Sequence, residues 1–396
     1  MNIGYITHTP PYPPDEGAKI VTYHRLKGLV EQGHNIYLLS LVEPDFTSKV
    51  PKPIIDLCSN AIYIRRDKSI YSLLGDIHRP FSVTSRTVPK AKEHLNDWES
   101  ELDILIGDHT FTAPYLSDIK IPTCLSVHNI EWKGLLGNAR SLLPSPRSSL
   151  YLADALRMYL FEREIYKTQS ADSFVFLSEQ ELRKVTEHYP GISNQSWHSP
   201  VGVNVSNFKG MKKPNLYNNS NHKIVFTGTM RYPPNVDAVQ WFANDIFPKV
   251  QSQLSDVQFF IVGKSPTPEI KKLGHKSGIT VTGRVNNVNS YISNADVSVV
   301  PVREGAGIQI KLLEALAAGN PTISTKFGAQ GLKVKDKNHL LIRNTSSSFA
   351  EGILSILINT DDGYTLGKNG QRLINKEYSW KSIIEDFESK LKSIAL

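Results

Sequence analysis

Arg303-Glu304-Gly305-Ala306-Gly307-Ile308-Gln309-Ile310-Lys311-Leu312-Leu313-Glu314-Ala315-Leu316-Ala317-Ala318-Gly319-Asn320-Pro321 is the stretch on which the reading of this chain turns. It reads as a glycine-rich loop entering a helix, with a lysine in the first turn and a glutamate one turn on. The run before it, 295–302, is short and rich in valine, which predicts a buried strand. Gly319 and Pro321 supply a helix stop. Strand, glycine loop and helix N-terminus together present free backbone N–H groups and the positive end of a helix dipole to an anion.

Helical geometry sorts the side chains. At about 100° per residue, Leu312, Leu313 and Leu316 share one side, with Ile310 and Ala317 at its margin, and that side predicts core. Lys311, Glu314, Ala315 and Ala318 share the other, where two charges stand among small neighbours. A lysine near a helix N-terminus opposes the dipole, a penalty that a bound phosphate reverses. Taken alone, the helix leaves an ordinary exposed Lys–Glu pair open as the alternative; the two upstream glycines favour a ligand site.

Outward from this element, strand-like and helix-like segments alternate. In the first half, strands are expected at 2–7, 35–42, 61–65, 103–107, 123–127 and 173–177. Helices are expected at 18–32, 89–101, 149–168 and 178–188. A stretch rich in Pro, Gly, Asn and Ser follows at 190–214 and 217–221 and reads as a linker. The alternation then restarts: strand 222–227, helix 236–254, strand 257–262, helix 269–275, strand 278–282, helix 288–294, strand 296–302, the loop-helix above, and strand 321–325. Such alternation implies βαβ units and parallel sheets. With 396 residues, more than one core is comfortable with, the class is α/β with two doubly wound domains. Ligands of such sheets lie at the carboxyl ends of the strands, which for two facing domains predicts a cleft site. A final helix at 380–394 carries Trp380, Ile383, Ile384, Phe387 and Leu391 on one face.

Composition narrows the function. Hydrophobic content of 40% and charged content of 21% fit neither a disordered chain nor a membrane-spanning one. The first residues lack the basic and apolar regions of a signal peptide, and no apolar run approaches the roughly 20 residues of a membrane span. A cytoplasmic protein is expected. Cys58 and Cys124 read as reduced thiols, and nothing has metal-ligand spacing. A net charge of +7 implies anionic partners. No arginine-rich block or nucleic-acid motif occurs, which argues against nucleic acid.

At the level of motifs the chain resembles the GT-B glycosyltransferases, in particular the family 4 group of retaining, nucleotide-sugar-dependent enzymes. The resemblance rests on several motifs in order: Pro10-Pro11-Tyr12-Pro13-Pro14-Asp15-Glu16-Gly17 opening the first helix, Gly33-His34-Asn35-Ile36 closing it, and Val127-His128-Asn129-Ile130-Glu131. Phe226 to Asn235, Val281-Thr282-Gly283-Arg284-Val285 and the Gly305-to-Pro321 element complete it. It implies a GT-B fold of two Rossmann-like domains. Residues 1–205 would form an N-terminal acceptor domain and 206–376 a C-terminal donor domain. Residues 377–396 would be a helix returning to the first domain.

By that resemblance Glu314 accepts the ribose hydroxyls. Gly305, Gly307 and Ile308 bring backbone N–H groups to the donor's sugar and phosphate, and Lys311 neutralises the diphosphate leaving group. Gly17 lets backbone approach the diphosphate from the opposite side, and His128 faces the donor sugar across the cleft. Arg284 and Val285 meet the nucleobase. The sequence also departs from the family pattern. The usual first glutamate falls at Ala306, with Glu304 two residues earlier as its replacement. The usual arginine falls at Thr229 and the usual lysine near Asn235, which leaves Arg231, Arg303 and Lys311 as the available cations.

Sugar transfer develops negative charge on a diphosphate, which helix N-termini and Lys/Arg stabilise, or else a carboxylate-bound metal. No Asp-x-Asp occurs, so metal-independent catalysis without a cofactor is expected. The expected activity is transfer of a sugar from a nucleotide-diphosphate sugar to a glycan or lipid-linked acceptor of surface polysaccharide synthesis, with retention. A GT-B epimerase or hydrolase and a non-catalytic nucleotide-sugar binder are the rivals. A nicotinamide-dependent oxidoreductase lacks its Gly-x-Gly-x-x-Gly after the first strand. The acceptor site is expected in loops at 76–88 and 134–149, whose Arg79, Arg86, Arg140 and Arg147 suit a lipid phosphate or peripheral contact with an anionic membrane. Glu162, Arg163 and Glu164 read as a solvated helix face.

Overall fold

The computed structural model describes all residues except 16, 47–48, 68–77, 142–143, 219–220, 305–307 and 396. The chain divides into two compact units, Met1–Pro200 with Ile383–Leu396, and Val201–Ser382.

The first unit holds a seven-stranded parallel sheet: β1 Asn2–Thr7, β2 Asn35–Val42, β3 Asn60–Arg65, β4 Ile104–Asp108, β5 Thr123–Val127, β6 Ser173–Phe176 and β7 Ser196–His198, in the order β3-β2-β1-β4-β5-β6-β7. Successive residues of one strand enter two different cores. Leu39, Leu41, Leu105, Leu125, Phe174 and Phe176 pack on one face, and Ile36, Leu38, Ile104, Ile106, Cys124 and Val175 on the other. Burial on both faces explains why these strands read as continuous apolar runs without alternation.

The final helix, Trp380–Ala395, inserts Phe387 and Leu391 into the second of these cores. Arg25, on the Gly17–Glu31 helix, fixes it there. Its guanidinium is fully buried, stacks 4.5 Å from the centre of the Phe387 ring, and donates to Ser126 Oγ at 2.8 Å and to the Ser199 carbonyl at 3.2 Å. A 2.7 Å bond between His34 and Glu388 adds a polar tie.

The second unit repeats the architecture with β8 His222–Thr227, β9 Val257–Val262, β10 Ile279–Gly283, β11 Val297–Val300, β12 Thr322–Ser324 and β13 Leu341–Ile342, all parallel, in the order β10-β9-β8-β11-β12-β13. In each sheet the strand order reverses once, between β1 and β4 and between β8 and β11. Both units are therefore Rossmann-like.

Several local expectations are corrected. The 190–214 stretch is not simply linker: Pro190–Gln195 forms a 3₁₀ turn and Ser196–His198 pairs with β6 as an edge strand. Much of 134–149 is helix, split between Glu131–Ser141 and Pro146–Thr168. Gly134 and Gly137 argue for a loop, but Trp132 and Leu135 pack on the core and override that local preference. The helix expected at 236–254 starts earlier, at Pro233, since proline suits a first helical position. It widens into a π turn at Phe242–Ile246, just before Pro248, whose ring cannot continue regular α-helical bonding. Among the described residues no helix is long and apolar enough to cross a membrane.

Candidate functional site

Ligands of open parallel sheets gather where the strand order reverses. In the second unit that point lies outside β8 and β11, and two glycines shape it. Gly228 follows β8 and Gly263 follows β9. A Cβ on Gly263 would lie 1.7 Å from the Gly228 carbonyl oxygen, and one on Gly228 2.8 Å from Asn235 Nδ2. Backbone bonds from Gly228 N to Val262 O and from Gly263 N to Gly283 O, each 3.1 Å, lock the three strand ends together. Only glycine fits so close a backbone approach.

Into this point comes Lys311, from the first turn of the Ile310–Ala317 helix. Its ammonium donates to Asn235 Oδ1 at 2.9 Å and to Gln309 Oε1 at 3.2 Å, and stands 5.3 Å from the centre of the Phe226 ring. Asn235 is fixed in turn by donating to the Thr229 carbonyl at 3.0 Å. These acceptors are neutral. Burial therefore brings the Lys311 amine down to about 8, with only partial opposition from Glu314, and lifts the Glu314 carboxyl to about 7 against the pull of Lys311. This is a desolvated cation whose charge no bonded neighbour balances, at the sheet's ligand end.

The other sequence-derived donor residues are placed as follows. Gly305 and Gly307 lie outside the described residues. Ile308 is partly buried, 3.0 Å from where a Cβ on Gly331 would stand. Arg303 is held by Asp237, with contacts of 3.0 and 2.5 Å, and its guanidinium lies 4.9 Å from the centre of the Trp241 ring. Its charge is thus directed onto the Pro233–Trp241 helix. Glu304 is exposed beside it, Arg231 is exposed in the turn before that helix, and Arg284 is exposed after β10. Val285 packs on Tyr217, Val225, Phe260 and Val262.

The first unit builds a second constellation at its own reversal, beside β1 and β4. His8 follows β1, His109 follows β4 and His128 follows β5, so three imidazoles end three adjacent strands. Ring centres lie 4.3 Å apart for His8 and His109, and 5.3 Å apart for His109 and His128. His128 is buried and its Nε2 meets Asp108 Oδ1 at 2.9 Å; Thr22 donates to the other oxygen of Asp108. Burial works to raise the Asp108 carboxyl, but His128 and the hydrogen bonds hold it below its ordinary value. His109 Nε2 lies 3.2 Å from Glu131 Oε1, and the ring stacks on Phe111 at 4.1 Å. Arg86 covers the same Phe111 at 4.6 Å, and burial brings its guanidinium down to about 9. Gly17 opens its helix in the open: a Cβ there would meet nothing within 4 Å, so space alone does not require a glycine.

Glu162 is a correction. It does not lie on a solvated face but is 3% exposed, and its carboxylate accepts the Glu131 N–H at 2.8 Å, capping the Glu131–Ser141 helix from its neighbour. Glu181 accepts the adjacent Ile130 N–H at 3.3 Å. Burial, with Glu131 and Glu181 adding repulsion, lifts the Glu162 carboxyl to about 8. Asp108, His109, Glu131 and Asn235 escaped the sequence reading as functional residues. The available signal was position: Asp108-His109 and His128 directly end buried strands, and Glu131 opens the next helix. Among the described residues no group of three or more His, Cys, Asp or Glu side chains could hold a metal ion.

Comparison with known proteins adds to this geometry. Residues 221–359 match the family described as "Glycosyl transferases group 1". Over nearly its whole length the chain is similar to an uncharacterized 44.6 kDa protein in the cps region of Klebsiella pneumoniae, at 23% identity over 94% of this chain and 95% of that one. A shorter match, 26% identical over 166 residues, links 40% of this chain to 44% of the phosphatidyl-myo-inositol mannosyltransferase of Mycobacterium leprae. Among solved structures, Anabaena HepE in complex with UDP has TM-score 0.67 at 13% identity, covering 99% of this chain and 100% of that one. The sucrose-phosphate synthase of Thermosynechococcus elongatus has TM-score 0.68 at 17% identity, covering 99% of each.

The Glu162 geometry has a pH consequence. A carboxyl raised in the folded state stabilises the fold fully below its unfolded value near 4.5, and this contribution is lost as pH rises through about 8. Glu162→Gln keeps the helix cap without the charge. Its melting temperature should fall less between pH 6 and pH 9 than that of the wild type, by at least about 2 °C. Equal falls in a calorimetric pH series would refute the assignment.

Proposed function

We propose, from the premise that the chain is a GT-B-fold glycosyltransferase of the group 1, family 4-like kind, that its second unit binds a nucleoside-diphosphate sugar at the Gly228–Lys311 point and that the protein transfers the sugar to a glycan or lipid-linked acceptor. One observation carries this reading: the desolvated Lys311 ammonium, bonded among the described residues only to neutral groups, beside a glycine-tight strand end. A diphosphate supplies the missing negative charge, and Glu314, one turn on, can accept two ribose hydroxyl hydrogen bonds. HepE, of the same fold, binds UDP and UDP-glucose, which supports a nucleotide sugar as donor class.

The sequence lacks the family's usual lysine near Asn235, yet the Lys311 ammonium reaches the Asn235 side chain from the first turn of the Ile310–Ala317 helix. In this reading Lys311 takes over the missing cation's task. Arg231 supplies a second positive charge from the adjacent turn. Glu304 and the Ile308 backbone contact the sugar, and Arg284 and Val285 lie toward the base. His128 is the catalytic imidazole of the first unit. The acceptor hydroxyl oxygen bonds to the anomeric carbon as the bond to the diphosphate oxygen breaks, and its proton passes to the departing phosphate. Attack from the leaving-group face retains configuration. Lys311 stabilises the leaving charge without a metal, and no enzymatic nucleophile enters the scheme.

Product analysis with a labelled nucleotide-sugar panel separates transfer from its rivals: epimerisation and hydrolysis need no acceptor, and a pure binder forms no product. Lys311→Ala should weaken nucleoside-diphosphate binding and lower turnover by about 10- to 100-fold, in line with loss of one charge-stabilising group. Near pH 8 the wild-type lysine is part neutral, and a bound diphosphate restores its charge. Binding should therefore take up protons, seen as a buffer-dependent heat that Lys311→Ala abolishes. A buffer-independent heat, or unchanged turnover, contradicts the proposal.

A lipid-linked acceptor draws support from the Pro146–Thr168 helix. Leu152, Leu156 and Leu160 are 54, 61 and 47% exposed, and helical spacing aligns them with Tyr159, Arg163 and Lys167. Tyr159 stacks edge-on with Trp132 at 5.6 Å, beside exposed Lys133. Leucines and aromatics edged by cations form the composition that rests on an anionic bilayer. The protein should co-sediment with phosphatidylglycerol vesicles at low salt and not with phosphatidylcholine vesicles, and Leu156→Glu should abolish this. Absence of wild-type binding removes the membrane contact.

A further inference from the structure

His109 stands at φ 91 and ψ 144, close to a region of backbone space that is essentially reserved for glycine. It occupies this conformation at the strand-order reversal of the first unit, where a glycine would make the same turn without strain. The fold therefore does not ask for a histidine here. The backbone sends the imidazole among Phe111, His8, His128 and Glu131. Its Nδ1 is buried without a hydrogen-bond partner, unusual for a core polar atom. A side chain kept only to fill space would be apolar.

We propose that His109, oriented by Glu131, is a positioning residue for His128. Two acid–imidazole pairs stand side by side: Asp108 is hydrogen-bonded to a ring nitrogen of His128, and Glu131 Oε1 lies 3.2 Å from His109 Nε2, the His109 ring bearing on the His128 imidazole at 5.3 Å and 45°. A carboxylate that fixes one ring nitrogen sets the tautomer and plane of an imidazole. Here the second pair walls the first, so that His128 keeps one orientation. The strained backbone is the cost of placing that wall, as strain at functional sites is held by its surroundings. The inference rests on His128 being the catalytic imidazole of the first unit.

The test uses the full chain and the sugar nucleotide that the wild type turns over, with nucleoside diphosphate release as the readout. His109→Gly should relieve strain, giving an equal or higher melting temperature, while kcat falls about tenfold or more with donor affinity unchanged. Glu131→Gln should lower kcat in the same direction with the circular dichroism spectrum intact. On a His128→Ala background, His109→Gly should add little further loss, because coupled residues are non-additive. Destabilisation by His109→Gly in step with lost activity would mark a merely structural histidine and overturn the proposal. So would unchanged kcat, or a full tenfold loss on the His128→Ala background. A fully active His128→Ala overturns the premise and the inference together, whereas failure of donor to bind the wild type strikes the second unit's assignment instead.

Discussion

The Lys311 ammonium lies in a partly buried place where, among the described residues, only uncharged oxygens receive its protons, those of Asn235 and Gln309. Such a cation loses much of its hydration and gains no counter-charge from these bonds, which is why its amine is driven down to about 8. The surrounding structure serves to hold it there. Gly228 and Gly263 let two strand ends meet closely beside β8, Asn235 is braced by the Thr229 carbonyl, and the leucines of the Ile310–Ala317 helix anchor its first turn in the core.

The two units solve the same topological problem with different chemistry. Each gathers buried polar side chains where its sheet reverses order. The second unit offers backbone glycines and a cation, suited to a diphosphate. The first offers imidazoles paired with carboxylates, suited to hydroxyl and proton chemistry, with His109 held in a backbone conformation that the fold does not require. That division of labour matches a reaction between a phosphorylated donor and a hydroxyl-bearing acceptor.

Much of the fold was legible because both sheets are buried on both faces, so their strands appear as apolar runs separated by helical periodicity. Ser196–His198, inside a stretch rich in Pro, Gly, Asn and Ser, and the two-residue Leu341–Ile342 were not. The Glu131–Ser141 helix was hidden by Gly134 and Gly137, and its capping carboxylate comes from Glu162, a long-range contact that local sequence does not encode. The shared helix of Lys311 and Glu314 was readable from helical spacing. The engagement of Arg303 by Asp237 and Trp241 was not, because it joins residues 66 positions apart in sequence. Likewise the Glu131–His109 pair depends on a helix start and a strand end meeting in space.

A crystal structure of the protein soaked with UDP, GDP or ADP tests the role of Lys311. The diphosphate is expected within hydrogen-bond distance of the Lys311 ammonium beside Gly228, with the ribose hydroxyls on Glu314. A nucleotide bound elsewhere, or one at this point that leaves Lys311 bonded only to Asn235 and Gln309, would contradict it.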